Sequence, residues 1–248
     1  MERRTLLFSM LAVTVGACAG PDRTGATVPS GTGSASGSSG VGAGTDRKGT
    51  EMLNDRLLKA AASGDAVTVR EAITGGAEPD VRDGIRRTPL LLAAAGDHVE
   101  VAKILVAAGA DPNAPDDRSD TPWLVTGVTG SVAMLKVLLP AKPDLTIRNR
   151  YGGISLIPAC ERGHVDYVRE VLKTDIKVDH VNNLGWTGLL EAVILGDGSK
   201  RYQEIVSLLV SAGADVNLAD SQGVTPLGHA REKGYDEIAA LLRAAGGR

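Results

Sequence analysis

The chain has 248 residues, 43% of them hydrophobic and 3% aromatic, with 27 Lys and Arg against 30 Asp and Glu. That length and apolar content support a folded domain, and so few aromatic residues mean that Ala, Leu and Val do the packing. The net charge of −3, with both signs mixed along the chain, removes the electrostatic case for nucleic acid.

The first twenty residues differ in kind from the rest. Arg3-Arg4 gives a positive start, and Thr5 to Thr14 is apolar but too short to cross a bilayer as a helix. Val15-Gly16-Ala17-Cys18 follows and resembles the bacterial lipobox, small residues before a Cys that is acylated and becomes the mature N-terminus. The resemblance implies a signal peptide over 1–17 and a lipid on Cys18 that anchors an exported protein to the extracytoplasmic face of a bacterial membrane. An ordinary signal peptide cut at small residues, with Cys18 incidental, is the other reading. The paired arginines leave the general secretory and twin-arginine routes both open.

Residues 18–49 are rich in Gly, Ser and Thr, as in Ser30-Gly31-Thr32-Gly33-Ser34-Ala35-Ser36-Gly37. Such a stretch cannot bury enough apolar surface to offset its lost entropy, so a disordered tether is expected there. About 30 such residues reach on the order of 30 Å, enough to hold a folded domain off a membrane surface.

From residue 50 onward a 33-residue echo organises the chain. Thr88-Pro89-Leu90, Thr121-Pro122-Trp123, Ile154-Ser155-Leu156 and Thr187-Gly188-Leu189 start 33 residues apart, and Thr225-Pro226-Leu227 follows after 38. Within one period come Ala93-Ala94, a break at Gly96-Asp97, a second apolar run from His98 to Val106, and Gly109-Ala110-Asp111. This pattern resembles the ankyrin repeat. The resemblance implies an all-α solenoid of about six helix-turn-helix units with short finger loops, over 50–82, 83–115, 116–148, 149–181, 182–219 and 220–248. Bacterial proteins of this kind are included in the resemblance.

Each matched position has a physical use. Thr before Pro caps a first helix, and Pro suits its opening turn because no donor is lost there. Ala60, Ala93, Ala94, Ala159, Ala192 and Ala230 allow close helix approach, and the apolar pairs at 104–105, 137–138, 171–172 and 208–209 fill the gap between layers. Gly76, Gly109 and Gly213 suit the left-handed residue that ends the second helix. Lys142 and Asp175 replace that Gly in repeats three and four, so less regular helix ends are expected there.

No catalytic constellation emerges. His98 and His164 sit in inter-helix turns without a metal-ligand partner at helical spacing. Cys160 reads as a buried, unreactive thiol. No cofactor, no metal and no enzymatic activity are expected, and the work expected is protein binding by a monomer. The ankyrin resemblance places contacts on the fingers and the inner face of the first helices. That phase selects Arg148, Arg150, Tyr151, Glu161 and Arg162 in repeat four, Asn183, Leu184 and Trp186 in repeat five, and Asp117, Arg118 and Asp120 in repeat three. Tyr, Trp and Arg, the residue types that dominate hot spots, coincide at repeats four and five. The alternative is a small-ligand or hydrolytic site near Tyr151, Glu161, Trp186 and Glu191, because paired carboxylates can serve as acid and base. The five extra residues of repeat five, between Gly196 and Glu204, read as an enlarged turn, on a binding face or simply tolerated.

Overall fold

Threonine decides where four of the first helices begin. The hydroxyls of Thr88, Thr121, Thr187 and Thr225 accept from the backbone N–H three residues on, at 3.1–3.2 Å. Each thus satisfies a donor that the opening helical turn leaves orphaned. Repeat four departs from this. Ile154 occupies the Thr position, buried, and Ser155 precedes the helix without a side-chain cap.

A computed structural model describes residues 43–248, with side chains from residue 47. The expected signal peptide, Cys18 and most of the expected tether lie outside the described residues. Six helix pairs follow one another: α1 (Ala43–Ser63) with α2 (Ala66–Thr74), α3 (Pro89–Ala95) with α4 (Val99–Ala107), α5 (Pro122–Thr129) with α6 (Val132–Leu138), α7 (Leu156–Arg162) with α8 (Val165–Val171), α9 (Gly188–Ile194) with α10 (Lys200–Ser211), and α11 (Pro226–Glu232) with α12 (Asp236–Ala244). There is no strand among the described residues. First helices pack on first helices, α1 on α3 and so on to α11, and second helices stack likewise from α2 to α12. No helix among the described residues is long and apolar enough to cross a membrane.

The small residues do what the pattern predicts. Ala60, Ala93, Ala94, Ala159, Ala192 and Ala230 are all buried, and Leu105, Leu138, Val171 and Leu209 each supply the fully buried member of an apolar pair. Hydrogen bonds then stitch each repeat to the one before. His98 Nε2 donates to the Ala62 carbonyl at 3.2 Å, and His164 Nε2 to that of Val128 at 3.1 Å. Tyr202 and Tyr235 do the same work through their hydroxyls, to Glu161 and Gly196, at 2.9 and 2.8 Å.

Two expectations are adjusted, at α1 and in repeat five, and the less regular helix end expected at Lys142 is met. Helix α1 begins at Ala43, inside the stretch assigned to the tether, because the packed turn at Leu53 and Leu57 propagates back through helix-compatible Arg47, Lys48 and Glu51. The second helix of repeat three ends in a 3-10 turn, Leu139–Ala141, with Lys142 at φ 54°, whereas Gly109 takes φ 87° at the equivalent place. The extra residues of repeat five are shared between turn and helix: the turn after α9 spans 195–199, against 96–98 in repeat two, and the rest lengthen α10. Lys200 to Gln203 become the first turn of α10, which is 12 residues long, and carry Tyr202 to the Glu161 carbonyl.

Because each layer contacts only its neighbours, a void in one layer has no distant compensation. Leu105 is 0% exposed between α4 and its neighbours, and Leu105→Ala is expected to cost about 2–5 kcal/mol. Urea or guanidinium denaturation measures it, and an unchanged midpoint would refute the assigned helix register.

Candidate functional site

Five fingers, each preceding a first helix, share one construction. An Asx residue five positions before the Thr phase accepts two backbone N–H bonds through its Oδ1. These are Asp83 from Ile85 and Arg87, Asp116 from Arg118 and Asp120, Asn149 from Tyr151 and Gly153, Asn182 from Leu184 and Trp186, and Asp220 from Gln222 and Val224, all at 2.8–3.0 Å. The same residue's own N–H donates to the carbonyl four residues on, closing the loop. The fourth residue of each finger has positive φ, Arg86 and Ser119 in the first two and Gly in the rest. Asx side chains favour such turns because they imitate a backbone acceptor. The signal stands in the sequence at constant phase.

Fingers four and five are tied to each other. The Asn183 N–H donates to the Tyr151 carbonyl at 3.0 Å, and its Nδ2 lies 3.4 Å from the Arg150 carbonyl. Gly152 allows this approach, since a Cβ there would meet Asn183 Oδ1 at 2.2 Å. His180, buried beneath, donates from Nε2 to the Gly152 carbonyl at 2.6 Å, and burial lowers its pKa. His180 is a positioning residue for finger four that the sequence reading did not select.

The structure brings together most of the selected residues. Arg150 lies 4.5 Å over the Tyr151 ring and 3.4 Å from Asp120 Oδ2, so one guanidinium links fingers three and four. Burial raises the Asp120 pKa, the nearby Asp116 adds to this, and Arg150 and Arg118 oppose it. Leu184 is 51% exposed and Trp186 half-buried on finger five, while Arg148 is exposed at the base of finger four. Asp117 and Arg118 are exposed on finger three, where the Asp117 N–H donates to the Ile85 carbonyl of finger two. Asn183 is exposed as expected, but part of its capacity is spent holding finger four. Glu161 and Arg162 occupy the last turn of α7, roughly 8–9 Å along that helix from finger four. The added turn of α10 follows the C-terminal end of α9, opposite the finger that carries Trp186.

Glu161 and Glu191 do interact. Glu191 is 2% exposed, and Asn182 Nδ2 donates to its Oε1 at 2.8 Å. Burial, then repulsion from Glu161, pushes its pKa up to about 8, against the opposing effect of the Asn182 bond. Glu161 is half-buried, its Oε2 is shielded without a hydrogen-bond partner, and burial raises its pKa while Arg162 lowers it. A substrate in solvent does not reach Glu191 in this arrangement. Cys160, on the adjacent turn, is fully buried and free, and its thiol pKa is pushed up by burial first and by Glu191 second.

With this geometry in view, comparison with known proteins settles the family. Ankyrin repeats (three copies) match residues 57–149, 128–220 and 156–247. The chain belongs to the ankyrin-repeat family. It is 54% identical over 108 residues to the ankyrin repeat protein YahD of Escherichia coli (strain K12), a match covering 43% of this chain and 54% of YahD. The chain therefore spans about half the length of that curated relative. An ankyrin repeat domain from Acinetobacter baumannii AYE, solved by crystallography, superposes with a TM-score of 0.75 at 47% identity, covering 77% of this chain and 98% of that one. The ankyrin repeat domain of Bcl-3, a member of the IkappaB protein family, superposes at 0.70 with 28% identity, covering 78% and 86%. Ankyrin repeats generally mediate protein–protein interaction, and proteins built from them are typically non-enzymatic.

The raised Glu191 pKa has a definite sign in folding. Between the ordinary Glu range, about 4.3, and about 8 the folded chain holds a proton on Glu191 that the unfolded chain has released. This contribution to stability is complete below the lower value and lost as pH rises through about 8. Glu161 and Asp120, also raised, act in the same direction. Glu191→Gln is expected to flatten the fall of denaturation midpoint between about pH 4.3 and about pH 8 relative to the unsubstituted protein. Parallel slopes would contradict the assignment.

Proposed function

We propose that this protein is a monomeric, membrane-tethered scaffold that captures a protein partner on fingers four and five, at the extracytoplasmic face of a bacterial membrane. One observation carries the reading. Tyr151, Leu184 and Trp186 stand on two fingers joined by a backbone hydrogen bond, with Arg150 stacked on Tyr151 and Arg148 exposed alongside. Large, partly exposed aromatic and Arg side chains on a pre-ordered loop pair lose little entropy on binding, which favours them as anchors. The burial and Asn182 bond of Glu191 favour this over a hydrolytic site at the same place. Arg162 and Glu161, at the far end of α7, serve the inner wall of the surface, and Asn183 serves the junction between fingers.

The tether follows from the N-terminal sequence. Cys18, preceded by Val15-Gly16-Ala17, carries the lipid, and the Gly/Ser/Thr-rich segment after it spaces the solenoid from the bilayer. Cys18→Ala is expected to abolish lipid labelling and accumulate the unprocessed precursor. Soluble, correctly cleaved variant with unchanged location would defeat the lipid anchor.

Capture of the partner from a membrane fraction tests the binding face. Trp186→Ala is expected to weaken capture at least about tenfold, a loss of about 1.4 kcal/mol, while leaving the fold intact. Arg243→Ala on α12 is expected to change nothing. Residual capture that tracks only the folded fraction of Trp186→Ala would make the residue structural and remove the main support for this face.

A further inference from the structure

In repeats five and six the finger is bonded to its own first helix by side chains alone. Asn182 Nδ2 donates to Glu191 Oε1, and His229 Nε2 lies 2.8 Å from Asp220 Oδ2. Both pairs join the finger Asx to the residue nine positions later. In repeats two, three and four that residue is Leu92, Val125 or Pro158, so their fingers lack the bond. The finger of repeat five is thus one of two whose attachment depends on a titratable group in the helix beneath it. It also carries Leu184 and Trp186.

We propose that neutral Glu191 is the positioning residue that holds the Trp186 finger down on α9, and that loss of its proton releases the finger. This rests on the reading that finger five contacts a partner, and it supplies that surface with a regulator.

The environment of Glu191 gives an ionised carboxylate little support. From α7, Glu161 repels it and the Cys160 thiol lies within its electrostatic reach, while the charge of Arg162 acts on Glu161. From α10, Tyr202 places its hydroxyl on the Glu161 carbonyl. From α11, His229 is bonded to Asp220, and His180, beneath the neighbouring finger, to the Gly152 carbonyl. The Asn182 bond alone cannot offset burial of a charge beside a second carboxyl group. An ionised Glu191 therefore needs water. Helix α9 cannot bring it there, because Leu189, Leu190, Ala192 and Val193 are buried with it. The finger can admit water, because Val181, Asn183 and Leu184 are exposed.

Trp186 reports on this without any partner. Trp123 is fully buried, so acrylamide quenching of the intact protein reads Trp186. Between about pH 6 and pH 9, below the ordinary tyrosine range, the quenching constant is expected to rise about twofold with a midpoint near 8, while far-UV circular dichroism stays constant. Glu191→Gln, which keeps a neutral acceptor for Asn182, is expected to hold the low value throughout. A flat profile in the unsubstituted protein, an unchanged rise in Glu191→Gln, or a parallel loss of helical signal would each overturn the proposal. These readouts use no binding partner, so they fail or succeed independently of the capture experiment.

Discussion

A pair of short helices, most of them seven to nine residues long, cannot bury its own apolar stripe, and this constraint governs the rest of the molecule. Each pair must lie against another at close range, which requires Ala at the contact and one fully buried Leu or Val from each second helix. The stack then leaves the loops at one end of the first helices as fingers. Their shape is set locally by an Asx side chain with two backbone N–H bonds, so it is held nearly constant while the exposed residues vary. Scaffold and surface are therefore specified by different residues. Substitution at the finger tips leaves the layers that fold untouched.

Repeats four and five depart from that uniformity in related ways. Repeat four lacks its Thr cap, and the buried Ser155 hydroxyl does not cap the helix in its place. Gly127 makes room there for the Ser155 carbonyl, which a Cβ would meet at 1.9 Å. Buried Tyr167 bonds to Thr126 Oγ1 at 2.7 Å across the same layer, giving repeats three and four a polar link within the core. Repeat five uses a lengthened second helix to bring Tyr202 to α7 and a buried carboxyl group to hold its finger. Polar groups in these layers lie close beneath the surface that presents Tyr151 and Trp186.

The helical order was legible because its signals are local and periodic. Thr-Pro at the start of a helix, Ala at the contact and Gly after the second helix can each be read without knowing a distance. The finger Asx residues were equally periodic, yet Asp and Asn at loop positions look like ordinary polar surface until their bonds are seen. Glu191 was noticed only as one of two carboxylates. Its burial depends on how α7 and α9 meet, which no spacing along the chain encodes, whereas its bond to Asn182 spans nine positions within one repeat. The extra turn of α10 was misread as loop because an insertion count does not say which residues take helical geometry. Tyr202, which needs that turn to reach Glu161, supplies the reason it is helical.

Fingers four and five form a pre-ordered partner surface in this account, and nuclear magnetic resonance of the bound state tests that most directly. Backbone amide shifts of the ¹⁵N-labelled solenoid would be followed as the captured partner is added. The account predicts the largest changes at Tyr151, Leu184 and Trp186, with the amides of α8 and α12 unchanged apart from general broadening. Changes concentrated on those second helices, with the fingers silent, would contradict it.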